Sequence, residues 1–212
     1  MKELVTQPRL VTLEGGEGAG KSTVLAALQS FLVETGDDVV CTREPGGTPL
    51  AELVRDLLLS RDHEPPSAET ELLLMFAARA QHVRETILPV LQRGGWVVSD
   101  RFTDASHAYQ GGGRGLDTEF ISCLERHAVG IRPGLTLLLD VPVSIGRERA
   151  SGRGHVDRIE SEQDVFFERV HDAYLARAAA EPHRFRIIDA TQTPRAVAAE
   201  AVAHLQAWKS SL

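Results

Sequence analysis

The feature that most restricts what this chain can become is a glycine cluster, Gly15-Gly16-Glu17-Gly18-Ala19-Gly20-Lys21-Ser22, at the end of a short apolar run. It fits the spacing G-x-x-x-x-G-K-[ST] without a gap. Glycines at those places let backbone N–H groups turn inward around phosphate oxygens. Lys21 adds a point charge, and a helix beginning there aims its positive end at the same anion. The Ser22 hydroxyl is placed for a Mg²⁺ ion accompanying the phosphates. A glycine-rich turn without a ligand would have the same composition, so the surroundings decide. Leu10–Glu14 reads as a strand, and Lys21 to Thr35 repeats apolar residues at helical spacing through Val24, Leu25, Leu28, Phe31 and Leu32.

The rest of the chain alternates in the same way. Further strands are expected at Val39–Thr42, Trp96–Asp100, Leu135–Asp140 and Phe185–Asp189. Helices are expected at Leu50–Leu59, from Ser67 to about Leu91, from a cap at Asp117 to about Val129, and from about Gln163 to Ala180. Pro142 suits the first turn of another helix, and Thr193 with Pro194 opens the last. Near-continuous apolar content in each strand implies a parallel sheet covered on both faces, an α/β fold of the P-loop NTPase kind with five strands. No repeat or linker divides residues 1–212, so one domain is expected. Ligands of such sheets bind beyond the carboxyl ends of the strands. Glu14, Arg43, Asp100, Asp140 and Asp189 fall there, and Asp100 is placed to be the second Mg²⁺-directed group.

Composition removes several classes. The net charge is −7 with no long Lys/Arg block, which argues against a nucleic-acid partner. Arginine gathers locally instead, at Arg43, Arg79, Arg101 and Arg114 and in the run Arg147, Arg149, Arg153 and Arg158, a pattern suited to a small polyanion. No apolar run reaches 18 residues and no signal peptide is visible, so a cytoplasmic chain without a membrane partner is expected. Cys41 and Cys123 fit no metal spacing and are expected to stay reduced.

A P-loop alone is compatible with a GTPase switch, a transporter ATPase, a motor or a small-molecule kinase. Guanine recognition through Asn-Lys-x-Asp is excluded, because the chain contains no asparagine, and there is no Leu-Ser-Gly-Gly-Gln signature. Arg43 and Arg101 follow different strands and could hold the phosphate of a second, phosphorylated substrate.

Across nearly its whole length the chain resembles the bacterial thymidylate kinases. The resemblance rests on the P-loop with Glu17, on Thr42-Arg43-Glu44-Pro45-Gly46-Gly47-Thr48 and on Phe76-Ala77-Ala78-Arg79. It continues through Asp100-Arg101-Phe102, Ala108-Tyr109-Gln110-Gly111-Gly112-Gly113 and Asp157-Arg158-Ile159-Glu160. It implies transfer of the γ-phosphoryl group of Mg²⁺-bound ATP to dTMP, giving dTDP for dTTP and DNA synthesis, by a cytoplasmic homodimer. In that reading Glu17 reaches the acceptor 3′-hydroxyl, and Arg43 and Arg101 hold its phosphate. Phe76 stacks on the pyrimidine beside Arg79, and Tyr109 crowds the 2′ position. Ser106 and Gln110 belong to the same pocket. Residues of about 147–160 resemble a lid over ATP. The P-loop offers no arginine, so Arg153 or Arg149 would supply the cation that joins Lys21 in catalysis. Ala190, Thr191 and Gln192 resemble the loop beside adenine. Phe102 departs from the more usual Tyr or His, and His107 falls at a variable place. Periodicity alone favours Phe76 as core, packing with Leu72 and Val83, with Arg79 paired to a surface Glu; the resemblance reverses that reading. The rival functions are a kinase for another monophosphate or a bare nucleoside, and a nucleotide-binding switch without turnover.

Overall fold

The computed structural model describes residues 3–151 and 157–212. Five strands, β1 Val5–Glu14, β2 Val39–Arg43, β3 Trp96–Asp100, β4 Ile131–Asp140 and β5 Phe185–Asp189, form one parallel sheet in the order β2-β3-β1-β4-β5. Helices α1 Lys21–Glu34 and α9 Pro194–Lys209 pack together. They bury Val24, Leu28, Val197, Ala201 and Leu205 against Val11, Leu13, Val98, Leu135, Leu137 and Ile188. On the opposite face the alternate strand residues Leu10, Val97 and Leu138 meet α3 Ala68–His82 and α8 Asp164–Ala180. Both faces are apolar because both are covered, as the unbroken strands predict.

The remaining elements are α2 Pro49–Leu59, α4 Leu88–Gln92, α5 Thr103–Ser106, α6 Thr118–Leu124 and α7 Val143–Ser151. The long helix expected from Ser67 is present, capped by the Ser67 hydroxyl, which accepts from Thr70 N–H. A π-helical turn at Val83–Ile87 joins α3 to α4 and widens the helix just before Pro89, which has no N–H to donate. Similar turns occupy His107–Gly113 and Glu125–Val129.

The expected elements differ from the observed ones at Thr103–Gly113, where helical turns fill a stretch given no element, and at two strand starts. β1 begins at Val5 and β4 at Ile131, each well before the apolar runs at Leu10 and Leu135. Their early halves pair with each other across a register shift between Gln7 and Val11. In β1 this half is largely exposed, and Pro8, Pro133 and Gly134 interrupt any alternation. Of the lid segment, 147–151 completes α7 and 157–160 forms a turn; Arg153 lies outside the described residues.

Candidate active site

The carboxyl ends of β1, β2 and β3 open onto a cavity of about 470 Å³. The P-loop forms one wall. Gly15, Gly18 and Gly20 have φ of 137°, 70° and 91°, and a Cβ at Gly18 would stand 2.0 Å from the Gly146 carbonyl oxygen, so α7 packs on the loop only because glycine is there. Gly16 and Ala19 complete the turn, and Lys21 Nζ donates to the carbonyls of Gly15 (3.2 Å) and Gly16 (2.8 Å). Burial, reinforced by nearby Arg101, holds the Lys21 ammonium below its ordinary pKa. Ser22 and Asp100 border the same cavity. Asp100 Oδ1 is buried and, among the described residues, has no hydrogen-bond partner. An orphaned carboxylate oxygen near a P-loop hydroxyl fits a divalent cation held by oxygen ligands.

Arg101 stands between the two ends of the cavity. Its backbone is left-handed, φ 70°, a conformation costly for a side chain with a Cβ and here enforced from both neighbours. Arg101 N–H donates to Leu13 O (2.9 Å), and Ser99 Oγ donates to Arg101 O (2.7 Å). The guanidinium donates to Gly15 O (3.0 Å) and Tyr174 Oη (3.2 Å) through Nη1, and to Glu17 Oε1 (2.7 Å) and Tyr109 Oη (3.0 Å) through Nη2. Tyr109 donates in turn to Glu17 Oε1 at 3.1 Å, and burial keeps its phenol protonated well above the ordinary range. Tyr174 donates to Glu14 Oε2 (2.7 Å) and Phe102 N–H to Glu14 Oε1 (2.7 Å). Tyr109 can sit so close to α8 because Gly112 and Gly113 have no room for a Cβ, which would meet Ala173 at 2.6 Å and the Phe166 ring at 2.4 Å.

Arg43 is exposed and donates to Glu52 Oε2 (3.0 Å) at the cavity rim. Arg79 is only 3% exposed and donates to Glu44 Oε2 (2.5 Å), Ser106 Oγ (2.9 Å) and Phe102 O (3.1 Å). Burial raises Glu44, but Arg79 and His82 outweigh it and hold the carboxyl below its usual range. Ser106 and Gln110 border the cavity as expected, and Gln110 Nε2 donates to Glu71 Oε1 (2.8 Å).

Two expected roles are corrected by this geometry. Phe76 is 2% exposed and lies among Leu10, Leu72, Val83 and Phe102, so it belongs to the core. Met75 borders the cavity instead. Residues three and four apart both share a helical face, but on α3 the cavity side carries the pair four apart, Met75 and Arg79. Phe76 sits beneath Arg79, whose Cζ is 4.7 Å from the ring centroid. Arg149 is also not among the residues that border the cavity. It donates to Ala190 O (2.8 Å) and Thr191 O (3.4 Å), tying α7 to the loop after β5. Arg147 donates to Glu162 O and pairs with Asp164, and Arg158 pairs with Glu71. Sequence reading also missed Tyr174, Glu71 and Arg55. Arg55 donates to Pro45 O (2.9 Å) and borders the cavity, but it follows no motif or strand end that would have singled it out.

The thymidylate kinase family profile matches residues 13–201. A thymidylate kinase of Pseudomonas putida (strain W619) is 57% identical over 188 residues, spanning 88% of this chain and 91% of its own. That of Alcanivorax borkumensis is 52% identical over 204 residues, 94% of this chain and 98% of its own. The crystal structure of thymidylate kinase from Ehrlichia chaffeensis matches with a TM-score of 0.77 at 31% identity, covering 94% of this chain and 98% of that one. Similarity of this extent, running from the phosphate loop through the last helix, establishes that the chain belongs to the thymidylate kinase family.

Proposed function

We propose that the chain transfers the γ-phosphoryl group of ATP to dTMP, giving dTDP, within a single domain that acts in the cytoplasm as a homodimer. The observation that carries this reading is one cavity bordered both by Lys21, Ser22 and Asp100 and by Arg43, Arg79 and Arg101. The first set suits a triphosphate, the second a phosphorylated acceptor. Such transfer needs no protein nucleophile, because an acceptor phosphate oxygen attacks; alignment and charge stabilisation do the rest. Ser22 and Asp100 would hold Mg²⁺, directly or through water, which when bound neutralises phosphate charge. Arg43 and Arg101 would fix the acceptor phosphate, Glu17 its 3′-hydroxyl, and Met75 with Arg79 its base. Tyr109 excludes a 2′-hydroxyl in this reading. Arg153 would add the cation over the transferring group.

The homodimer is supported by Leu50, Leu53 and Leu57 of α2 and Leu73 of α3, all about half exposed on helices that pack together. Among the described residues no helix is long and apolar enough to cross a membrane.

Coupled ADP release with dTMP, dUMP, dCMP, UMP and thymidine tests the assignment. dTMP is expected to turn over fastest and thymidine not at all, since it brings no phosphate to the arginines. Faster turnover with thymidine or a ribonucleotide overturns the reading.

A further inference from the structure

The acceptor reading leaves one buried polar residue without a role. His82 ends α3 and is 0% exposed, yet it is bounded by none of the cavity. Its two ring nitrogens reach two residues of one short segment. Nδ1 is 3.0 Å from Glu44 Oε1 and Nε2 is 2.7 Å from Thr42 Oγ1. Glu44 as a carboxylate can only accept, so Nδ1 carries a proton, and in the neutral imidazole Nε2 accepts from the Thr42 hydroxyl.

Thr42 and Glu44 are the two chain neighbours of Arg43, and Glu44 through its other oxygen accepts from Arg79 Nε at 2.5 Å. His82 therefore touches the side chains on both sides of the arginine assigned to the acceptor phosphate. Through a single carboxylate it also touches the arginine assigned to the base. The loop that follows is seated on the same ring. Gly47 has φ +85°, and a Cβ there would lie 2.4 Å from His82 Cδ2 and Nε2, so only glycine lets the loop close over the imidazole. Thr86 Oγ1 donates to Gly47 O (3.0 Å), Gly47 N–H donates to Glu52 Oε1 (2.9 Å), and Glu52 is the partner of Arg43.

We propose that His82 is a positioning residue for the acceptor, a strut that fixes the separation between Arg43 and Arg79 and so the length of nucleotide the site accepts. The proposal rests on the acceptor roles given to those two arginines. A residue that only filled space here would be replaceable by leucine. A strut would not, because its two polar contacts to one segment set a distance, and small displacements of positioning groups have large kinetic effects.

The test compares initial rates for His82→Leu, His82→Asn and Thr42→Val with wild type, each with dTMP and ATP varied separately. His82→Leu keeps the volume and removes both contacts; its KM for dTMP is expected to rise about tenfold, the effect of losing a hydrogen bond to a charged group. Its kcat and KM for ATP should stay within about twofold, since the two hydrogen bonds of the ring go to Thr42 and Glu44 and not to the P-loop. His82→Asn retains the donor to Glu44 and should recover most of the KM, while Thr42→Val should lose about threefold. Should His82→Leu misfold, the other two variants read the same quantity. A rise in KM for both substrates alike, a change in thermal midpoint alone, or no rescue by Asn overturns the strut. Arg43→Ala and Arg79→Ala run alongside. If they leave KM for dTMP unchanged, the acceptor assignment itself has failed and the strut falls with it.

Discussion

Exchanging the roles of two adjacent residues, Met75 and Phe76, gives the sharpest check on the acceptor site. Phe76 lies in the core with Arg79 over its ring at 4.7 Å, while Met75 borders the cavity. Phe76→Leu keeps most of the volume but loses ring contacts and the cation–π attraction, about 1–2 kcal/mol of stability. In a chain of this length that lowers the thermal midpoint by about 2–8 °C. The KM for dTMP should change less than about twofold, because Arg79 keeps its bonds to Glu44, Ser106 and Phe102 O. Met75→Ala behaves differently. Met75 is 9% exposed, so truncation removes about 20 Å² of apolar surface bordering the cavity and leaves a similar area of the base uncovered, together about 1 kcal/mol, which raises the KM for dTMP about fivefold. Met75→Leu should restore it. Differential scanning fluorimetry and dTMP titrations in the coupled assay measure both quantities. A Phe76→Leu variant with an unchanged midpoint and a tenfold higher KM would refute the geometry argued here and return the stacking role to Phe76.

Three further outcomes follow from the same site. Lys21→Ala should lose at least about 10²-fold in kcat, because it removes a preorganised charge from the donor phosphates, with the KM for dTMP little changed in steady-state kinetics. Arg153→Ala should also lose at least about 10²-fold in kcat while ATP binding by calorimetry is retained, and Arg153→Lys should recover only part; near-normal turnover would remove Arg153 from the mechanism. Burial, with Asp104 nearby, pushes Glu14 up to about 8, so between its unfolded value of about 4.3 and that pH the folded chain holds a proton the unfolded chain does not, and stability falls as pH rises through the window. Glu14→Gln should flatten that slope in urea unfolding at pH 5, 7 and 9, and an unaltered slope would show that Glu14 is not its source.

The parts of this protein legible in its sequence are those set by local rules. The P-loop spacing, the five apolar runs and the Asp117 and Thr193 caps each depend on a few neighbouring residues, and each is where it was expected. What depends on a helix's rotation was not legible. A pattern of letters places Phe76 and Arg79 on a shared face, but which side of that face turns to the cavity is decided by how α3 sits against β1 and β3. The early halves of β1 and β4 were hidden for another reason: they stabilise each other by backbone pairing, which leaves no apolar signature. Arg149 was misread because a lid arginine and a loop-anchoring arginine look alike until Ala190 and Thr191 are brought beside α7. His82 gave no signal at all, since Thr42 and Glu44 are 40 and 38 residues away along the chain.

The state of the arginines bears on how such a site works. Each of the three arginines assigned to the acceptor is already engaged: Arg101 by Glu17, Tyr109, Tyr174 and Gly15, Arg79 by Glu44, Ser106 and Phe102, and Arg43 by Glu52. These bonds weaken the pull of each guanidinium on a phosphate, so they oppose ground-state affinity. At Arg79 and Arg101 they also hold charge out of water where burial alone would be costly. A cation that need not reorient stabilises developing charge without a reorganisation cost at the moment of transfer. Arg101 carries the argument furthest, because its left-handed backbone is itself a strained conformation held by Leu13 and Ser99 on both sides. A freely rotating arginine could meet the acceptor phosphate equally well at equilibrium. Strain, buried partners and a fixed fork together make sense only if the position of the charge, more than its availability, limits the reaction.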